Sequence, residues 1–176
     1  MRPLRVAASA LVVAAGVAAF YWFVAIPFAS NVTEHEVKMR SDRAMRYGSP
    51  MFMLPLARHN LQDIAAYRDR YPTVNLLMLE GWNRAMATDY AGAERSYEQA
   101  IAMGPRAETL VELGLAQINE GKPDAAFRNF LTAAAFDKSY VLDLPYPDLE
   151  RRLLDAIEKG TGYEDVMRER EKDCAR

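Results

Sequence analysis

The chain has 176 residues, with 22 Lys and Arg against 24 Asp and Glu side chains, and a formal net charge of −2. That balance leaves no basic footprint for nucleic acid. The one cysteine, Cys174, excludes an internal disulfide framework and a cysteine-based zinc site. The length suits one membrane segment plus one compact domain.

The N-terminal segment up to Ala29 predicts a membrane anchor. Residues 1–5 form a positively charged leader, and residues 6–29 contain no charged side chain. About 20 apolar residues suffice to cross a bilayer, so we expect a transmembrane helix over 6–29. A cleaved signal peptide is the alternative, but Pro27 and Phe28 stand where small residues should precede a cleavage site. Pro27 is also expected to end the helix.

The charges on the two sides of the span give opposing indications of its orientation. Arg2 and Arg5 favour a cytoplasmic amino terminus. A second basic group follows the span and opposes this: Lys38, Arg40, Arg43 and Arg46. This group either contacts anionic lipid headgroups or forms a solvated helix face. Because charges next to the span usually dominate, we expect the domain outside the cytoplasm.

Three alanines within the span are spaced for helix packing. Ala10, Ala14 and Ala18 recur at every fourth position on one helical face, which would let a second transmembrane helix approach closely. The alternative is that this spacing arises by composition in an alanine-rich segment.

The soluble part contains an internal repeat. When the chain is aligned with itself so that Leu77 matches Leu110, small residues align with small residues and large residues with large ones. The matched positions are Leu77, Gly81, Ala93, Tyr97 and Ala100 in the first copy, and Leu110, Gly114, Ala126, Phe130 and Ala133 in the second. Their helical spacing predicts two helices per copy, with the glycines and alanines allowing close packing around the aromatic rings.

At these residues the sequence resembles the tetratricopeptide repeat family over residues 74–138. The spacing from Gly81 to Pro105 matches the family pattern, whereas the second copy has Lys138 where the closing proline would stand. Arg84 and Gln117 replace the family's usual tyrosine of the first helix. The resemblance implies an all-α protein: a transmembrane helix followed by a short solenoid of helical hairpins with a C-terminal capping helix.

Because two repeats cannot cover their own apolar faces, we expect flanking helices. We divide the rest of the chain into a juxtamembrane segment over 30–55, a helical domain over 56–160 and a charged tail over 161–176. A degenerate first hairpin would begin with a helix over 34–47 and turn at Gly48-Ser49-Pro50. The capping helix should bury a stripe of leucines and isoleucine, namely Leu149, Leu153, Leu154 and Ile157.

The resemblance also implies a concave groove for a partner protein. The corresponding positions are Met78, Trp82, Val111 and Leu115, which are apolar and therefore suit an amphipathic helix or an extended hydrophobic segment. Members of the family that clamp the carboxyl terminus of a partner place Lys and Asn at these positions. This chain has neither residue there, so we do not expect a carboxylate clamp. The alternative is that a flanking helix of the chain itself fills the groove.

No catalytic, cofactor or metal pattern accompanies these repeats. His35 and His59 have no ligand spacing around them, and no nucleotide-binding or nucleophile motif occurs. We therefore expect no enzyme activity and no small-molecule substrate. The resemblance favours an adaptor or assembly factor in a bacterial cell-envelope complex, anchored in the inner membrane with a periplasmic domain. The alternative is an accessory subunit held in a membrane complex through its transmembrane helix.

Overall fold

The structure, a computed structural model, describes residues 2–48, 50–142, 144–160 and 162. These residues are overwhelmingly α-helical and include no strand, which confirms the predicted all-α class. Apart from Gly162, the predicted charged tail over 161–176, with Cys174, lies outside the described residues.

Eight α-helices make up the described chain, and successive helices from α2 onward pack on one another. They are α1 (Arg2–Phe20), α2 (Ile26–Tyr47), α3 (Pro50–Arg68), α4 (Val74–Met86), α5 (Tyr90–Met103), α6 (Ala107–Asn119), α7 (Pro123–Phe136) and α8 (Pro147–Lys159). A π-helical turn over Tyr21–Ala25 joins α1 to α2, and a 3₁₀ turn over Lys138–Val141 follows α7.

The N-terminal apolar helix continues through Pro27, contrary to the expectation that this residue ends it. The π-helical turn Tyr21–Ala25 comes immediately before, and Pro27 lies in the first turn of α2. Proline lacks the N–H for the regular helical bond and its ring crowds the carbonyl of the preceding turn. A wider π turn removes that conflict without ending the helix. By length and composition, this is the one helix of the described chain able to cross a membrane.

Helix α2 is docked on the domain along one face, which begins the packed structure well before the predicted boundary at residue 56. Ile26, Ser30, Val37 and Ser41 recur at helical spacing and are all buried. Val37 packs with Ile64 of α3 and with α4. The helix ends at Tyr47 and α3 begins at Pro50, which agrees with the predicted turn. The apolar helix is therefore fixed to the domain rather than linked to it by a flexible segment.

The course of α2 carries the second basic group away from the apolar helix. At a rise of about 1.5 Å per residue, Lys38 lies about 18 Å along the helix from Ile26, and Arg46 about 30 Å. Arg40 is paired with Asp63 of α3. Of the two alternatives for this group, the arrangement favours the solvated helix face.

Two helical hairpins follow, and they repeat with the predicted period. Helices α4 and α5 form the first, and α6 and α7 form the second. Every helix boundary in the second hairpin is offset from its counterpart in the first by the same shift that relates Leu110 to Leu77. The turns match as well: Thr88 has a positive φ of 61°, and Gly121, at the equivalent position of the second copy, has one of 76°.

All ten residues matched between the copies are buried. A Cβ atom added at Gly81 would lie 2.5 Å from the Tyr97 ring, and one added at Gly114 would lie 2.7 Å from the Phe130 ring. Each glycine therefore creates the space that its aromatic partner fills.

The C-terminal segment covers the open end of the second hairpin. Leu153 and Ala156 of α8 are buried in one cluster with Phe130 and Leu131 of α7, Val141 of the 3₁₀ turn and Leu144. Leu149 and Ile157 pack against this cluster, whereas Leu154, predicted in the same stripe, is exposed.

Candidate partner-binding site

A cleft of about 390 Å³ lies between the docked helix α2 and the repeat hairpins. One wall is α2, the other is α4, and the amino-terminal half of α6 closes one side. The cleft exists because α2 contacts α3 and α4 but leaves the space in front of α6 unfilled. Within the described residues, this cleft brings predicted partner-binding residues together with charged side chains that have no ion-pair partner.

The α4 wall supplies the apolar surface of the cleft. Met78 and Trp82, both predicted to contact a partner, line it and are half-buried. Leu79 contributes beside them. The Trp82 indole offers a large contact area, and the flexible Met78 thioether beside it can adapt to the shape of a partner. Both properties are common in protein-binding surfaces.

The other two predicted groove residues lie elsewhere. Val111 and Leu115 pack against the C-terminal cluster that contains Val141, Leu144 and Leu153. The chain therefore covers the second half of the predicted groove with its own C-terminal segment. The first half stays open, with α2 as its opposite wall.

Glu112 and Tyr97 form the polar base of the cleft. Burial raises the pKa of the Glu112 carboxyl and the negative charge of Glu108 raises it further, against the opposing effect of the nearby Tyr97 hydroxyl. Burial, and then the charge of Glu112, raise the pKa of Tyr97. The Tyr97 hydroxyl, on a side chain that is 1 % exposed, makes no hydrogen bond of ordinary geometry to a described residue. Glu112 is thus half-buried and forms no ion pair among the described residues.

The charges around the cleft are mainly acidic. Four carboxylates, Glu34, Asp42, Glu108 and Glu112, line it against two cations, Lys38 and Arg106. Part of this set is already engaged, because Glu34 accepts hydrogen bonds from Thr73 and Asn75, both of 2.8 Å. Arg106 donates to Asn75 Oδ1 at 2.6 Å. The uncompensated charge near Glu112 is therefore negative.

A buried polar cluster holds the α2 wall in place. Asn60 Nδ2 of α3 donates to Ser41 Oγ of α2 at 3.2 Å and to Asn83 Oδ1 of α4 at 2.9 Å. Asn83 in turn donates to the Leu79 carbonyl at 2.7 Å. Hydrophobic periodicity misses these residues because they are polar. The signal that could have found them is their helical spacing with apolar core positions, Ser41 one turn after Val37 and Asn60 one turn before Ile64.

A second polar network joins the first hairpin to α3. Glu80, 3 % exposed, accepts from Arg68 Nε at 2.6 Å and from Arg84 Nη2 at 2.9 Å. Arg84 also pairs with Asp89, the N-cap of α5. In the second hairpin Gln117, the counterpart of Arg84, donates to Glu94 and accepts from Asn129. Arg84 and Gln117, at equivalent positions of the two copies, therefore connect neighbouring helices.

The remaining candidates are separate from the cleft. Ala14 and Ala18 are exposed on α1, whereas the side chain of Ala10 lies outside the described part. His35 is exposed, and His59 Nε2 is 3.7 Å from Asp63 Oδ2. Among the residues described, no three His, Cys, Asp or Glu side chains are grouped to hold a metal ion.

Comparison of the chain with models of protein families, with curated proteins and with solved structures gives no match. A function for the chain is therefore inferred from the geometry of the cleft and from the repeat.

Proposed function

We propose that the chain is a membrane-anchored adaptor of the tetratricopeptide-like type, which holds a segment of a partner protein in the cleft between α2, α4 and α6. The observation that carries this proposal is the open cleft, in which half-buried Trp82 and Met78 share the lining with Glu112, a half-buried carboxyl that forms no ion pair with a described residue. Large aromatic side chains in such settings dominate interface energies.

The partner segment presents a basic side chain together with an apolar one. Glu112 would pair with the cation, and the negative lining would attract it during encounter. The Trp82 indole can receive an apolar side chain, or the stem of a lysine or arginine. This refines the purely apolar groove predicted from the sequence, because the α2 wall and α6 add charge that the repeat positions alone do not indicate.

Anchorage supports the same function. We place α1 in a bacterial inner membrane with the helical domain on the periplasmic side, where the docked α2 holds the cleft at a fixed distance from the bilayer. An adaptor with this construction recruits a partner within a cell-envelope complex and needs no catalytic group of its own.

Photo-crosslinking in native membranes tests the proposal. A benzophenone amino acid at Met78 should give one discrete cross-linked product, while the same probe at exposed Glu98 on α5 gives none. Adding Glu112→Gln should reduce the product at position 78. Equal labelling at both positions would contradict specific binding in the cleft.

The second candidate function is an accessory subunit held through its transmembrane helix. Ala14 and Ala18 lie one turn apart on α1, whose described side chains are exposed, and small residues at this spacing would permit close contact with another helix. In that case Ala14→Leu should release the chain from its complex, whereas Trp82→Ala should leave assembly unchanged. The adaptor proposal predicts the reverse.

A further inference from the structure

A second, smaller cleft lies where the domain meets the apolar helix. Its volume is about 200 Å³, and it is lined by Trp22, Phe23, Ile26, Pro27, Arg70 and Tyr71. Four of these residues belong to the helix and two to the segment between α3 and α4. The cleft therefore joins the candidate membrane span to the base of the soluble domain.

The length of the span places this cleft at a bilayer surface. Counted from residue 6, the first uncharged position, about 30 Å of helix, the usual thickness of the hydrocarbon core, ends at residue 25, which is before the predicted end of the span at residue 29. Ile26 and Pro27 then lie at the boundary, and so do Arg70 and Tyr71 beside them. Tryptophan and tyrosine rings favour this level because they combine an apolar body with a polar group.

Arg70 is the cation of this cleft. Arg68, two residues earlier, forms an ion pair with Glu80, and Asp69 also lies 3.4 Å from Arg68. Arg70 itself forms no ion pair within the described part of the chain. A guanidinium at headgroup level, beside exposed Trp22 and Phe23, faces phosphate on one side and acyl chain on the other.

We propose that this cleft binds the phosphate of an anionic phospholipid, with Arg70 as the cation, Trp22 and Tyr71 beside the glycerol region, and Phe23 against the acyl chain. The bound lipid also fixes the orientation of the helical domain relative to the bilayer. Since α2 is packed against α3 and α4, a headgroup bound at the base of the domain sets the direction in which the partner cleft opens. This inference depends on the proposed anchorage of α1 in a bilayer.

Lipid retention tests the site. The full-length protein is placed in nanodiscs of phosphatidylcholine mixed with phosphatidylglycerol, released into mild detergent, and its bound lipid is identified by native mass spectrometry. Wild type should retain phosphatidylglycerol in preference to phosphatidylcholine, and Arg70→Gln should reduce that preference about fivefold. The matched control is Arg58→Gln, an exposed arginine about 15 Å before the end of α3, which should retain the preference.

Fluorescence gives an independent measurement. The chain has two tryptophans, so Trp82→Phe leaves Trp22 as the reporter. Brominated phosphatidylglycerol should quench Trp22 more strongly than brominated phosphatidylcholine, and glycerol phosphate in solution should not reverse this. Reversal by glycerol phosphate would identify a soluble phosphate site instead and overturn the lipid proposal.

The outcomes separate the anchor from the lipid site. A protein that fails to enter nanodiscs contradicts the anchorage, and the lipid site fails with it. A protein that enters but shows no headgroup preference, or one unaffected by Arg70→Gln, overturns the lipid site alone. Trp22 that no brominated lipid quenches would place another protein surface in the cleft and contradict the proposal.

Discussion

Gly81 and Tyr97 determine how closely the two helices of the first hairpin approach. A Cβ atom at residue 81 would lie 2.5 Å from Tyr97 Cε1, which is closer than carbon atoms pack. The second hairpin repeats the relationship between Gly114 and Phe130. Because Tyr97 also reaches Glu112 at the base of the cleft, the packing that defines the repeat positions part of the candidate site.

Gly81→Ala should destabilise the domain although alanine is the better helix former. The gain in helix propensity is about 1 kcal/mol, and overpacking costs about 1–3 kcal/mol, so we expect a net loss of about 1 kcal/mol. Thermal unfolding of the full-length protein in detergent, followed by circular dichroism, measures this. In a Tyr97→Leu background the same change should become neutral or stabilising. Gly104→Ala is the control, since its methyl would meet Val74 at an ordinary 3.6 Å.

Thr88→Gly should stabilise the protein. Thr88 has a left-handed backbone conformation with φ of 61°, which costs a β-branched residue about 1–2 kcal/mol. The greater flexibility of unfolded glycine offsets part of the gain, leaving about 0.5–1 kcal/mol. The reciprocal change Gly121→Thr, at the matching turn, should destabilise by about 1 kcal/mol. Equal melting temperatures for all three proteins would contradict the assignment of strain at this turn.

Glu80→Ala should be among the most destabilising single changes in the first hairpin. It removes the buried carboxylate that lies between Arg68 and Arg84, so that each guanidinium keeps only its more exposed carboxylate partner, Asp69 or Asp89. Breaking a fully buried pair costs about 3–5 kcal/mol, and the arginines, about 30 % exposed, reduce this to about 2–3 kcal/mol. Urea unfolding measures the loss. Asp69→Ala removes the exposed partner of Arg68 and should change stability by less than about 0.5 kcal/mol.

Glu112→Gln should increase stability at neutral pH while weakening partner binding. The pKa of Glu112 is raised in the folded state, so the native protein binds this proton more tightly than the unfolded chain does. The cost of its charge is absent below the ordinary carboxyl range and complete above the raised pKa. The variant should therefore melt higher than wild type at about pH 8, and the difference should close towards about pH 4.

A pH-independent difference between Glu112→Gln and wild type would indicate a change in packing rather than the removal of a charge. Glu98→Gln, at an exposed position of α5, is the control and should show neither effect. A gain in stability coupled to a loss of binding is the pattern expected where a charge is kept for function.

The sequence predicted the hairpins because their signal is local and apolar. Small residues and aromatic rings recur at a fixed spacing, and the boundaries of α4 to α7 follow the same period as the matched residues. The long apolar helix was equally readable from its lack of charge. The assignment of these hairpins to the tetratricopeptide family remains a proposal.

The site was only half predictable, because its other half comes from residues distant in sequence. Met78 and Trp82 follow from the repeat register, whereas the α2 wall depends on Ser41, Asn60 and Asn83, whose polarity conceals their burial. Val111 and Leu115 are covered by a segment around Val141 and Leu144, which has no helical periodicity to indicate it. Pro27 was wrongly expected to end its helix because a π turn can accommodate it.

The most direct measurement is affinity purification of the full-length protein from native membranes in mild detergent, comparing wild type with Trp82→Ala by quantitative mass spectrometry. The adaptor account predicts one stoichiometric partner that falls about tenfold or more in Trp82→Ala, while the melting temperature stays near that of wild type. A control variant at exposed Glu98 should retain the partner. If the partner persists in a folded Trp82→Ala protein and is lost in Ala14→Leu, the cleft does not hold it and the adaptor account is contradicted.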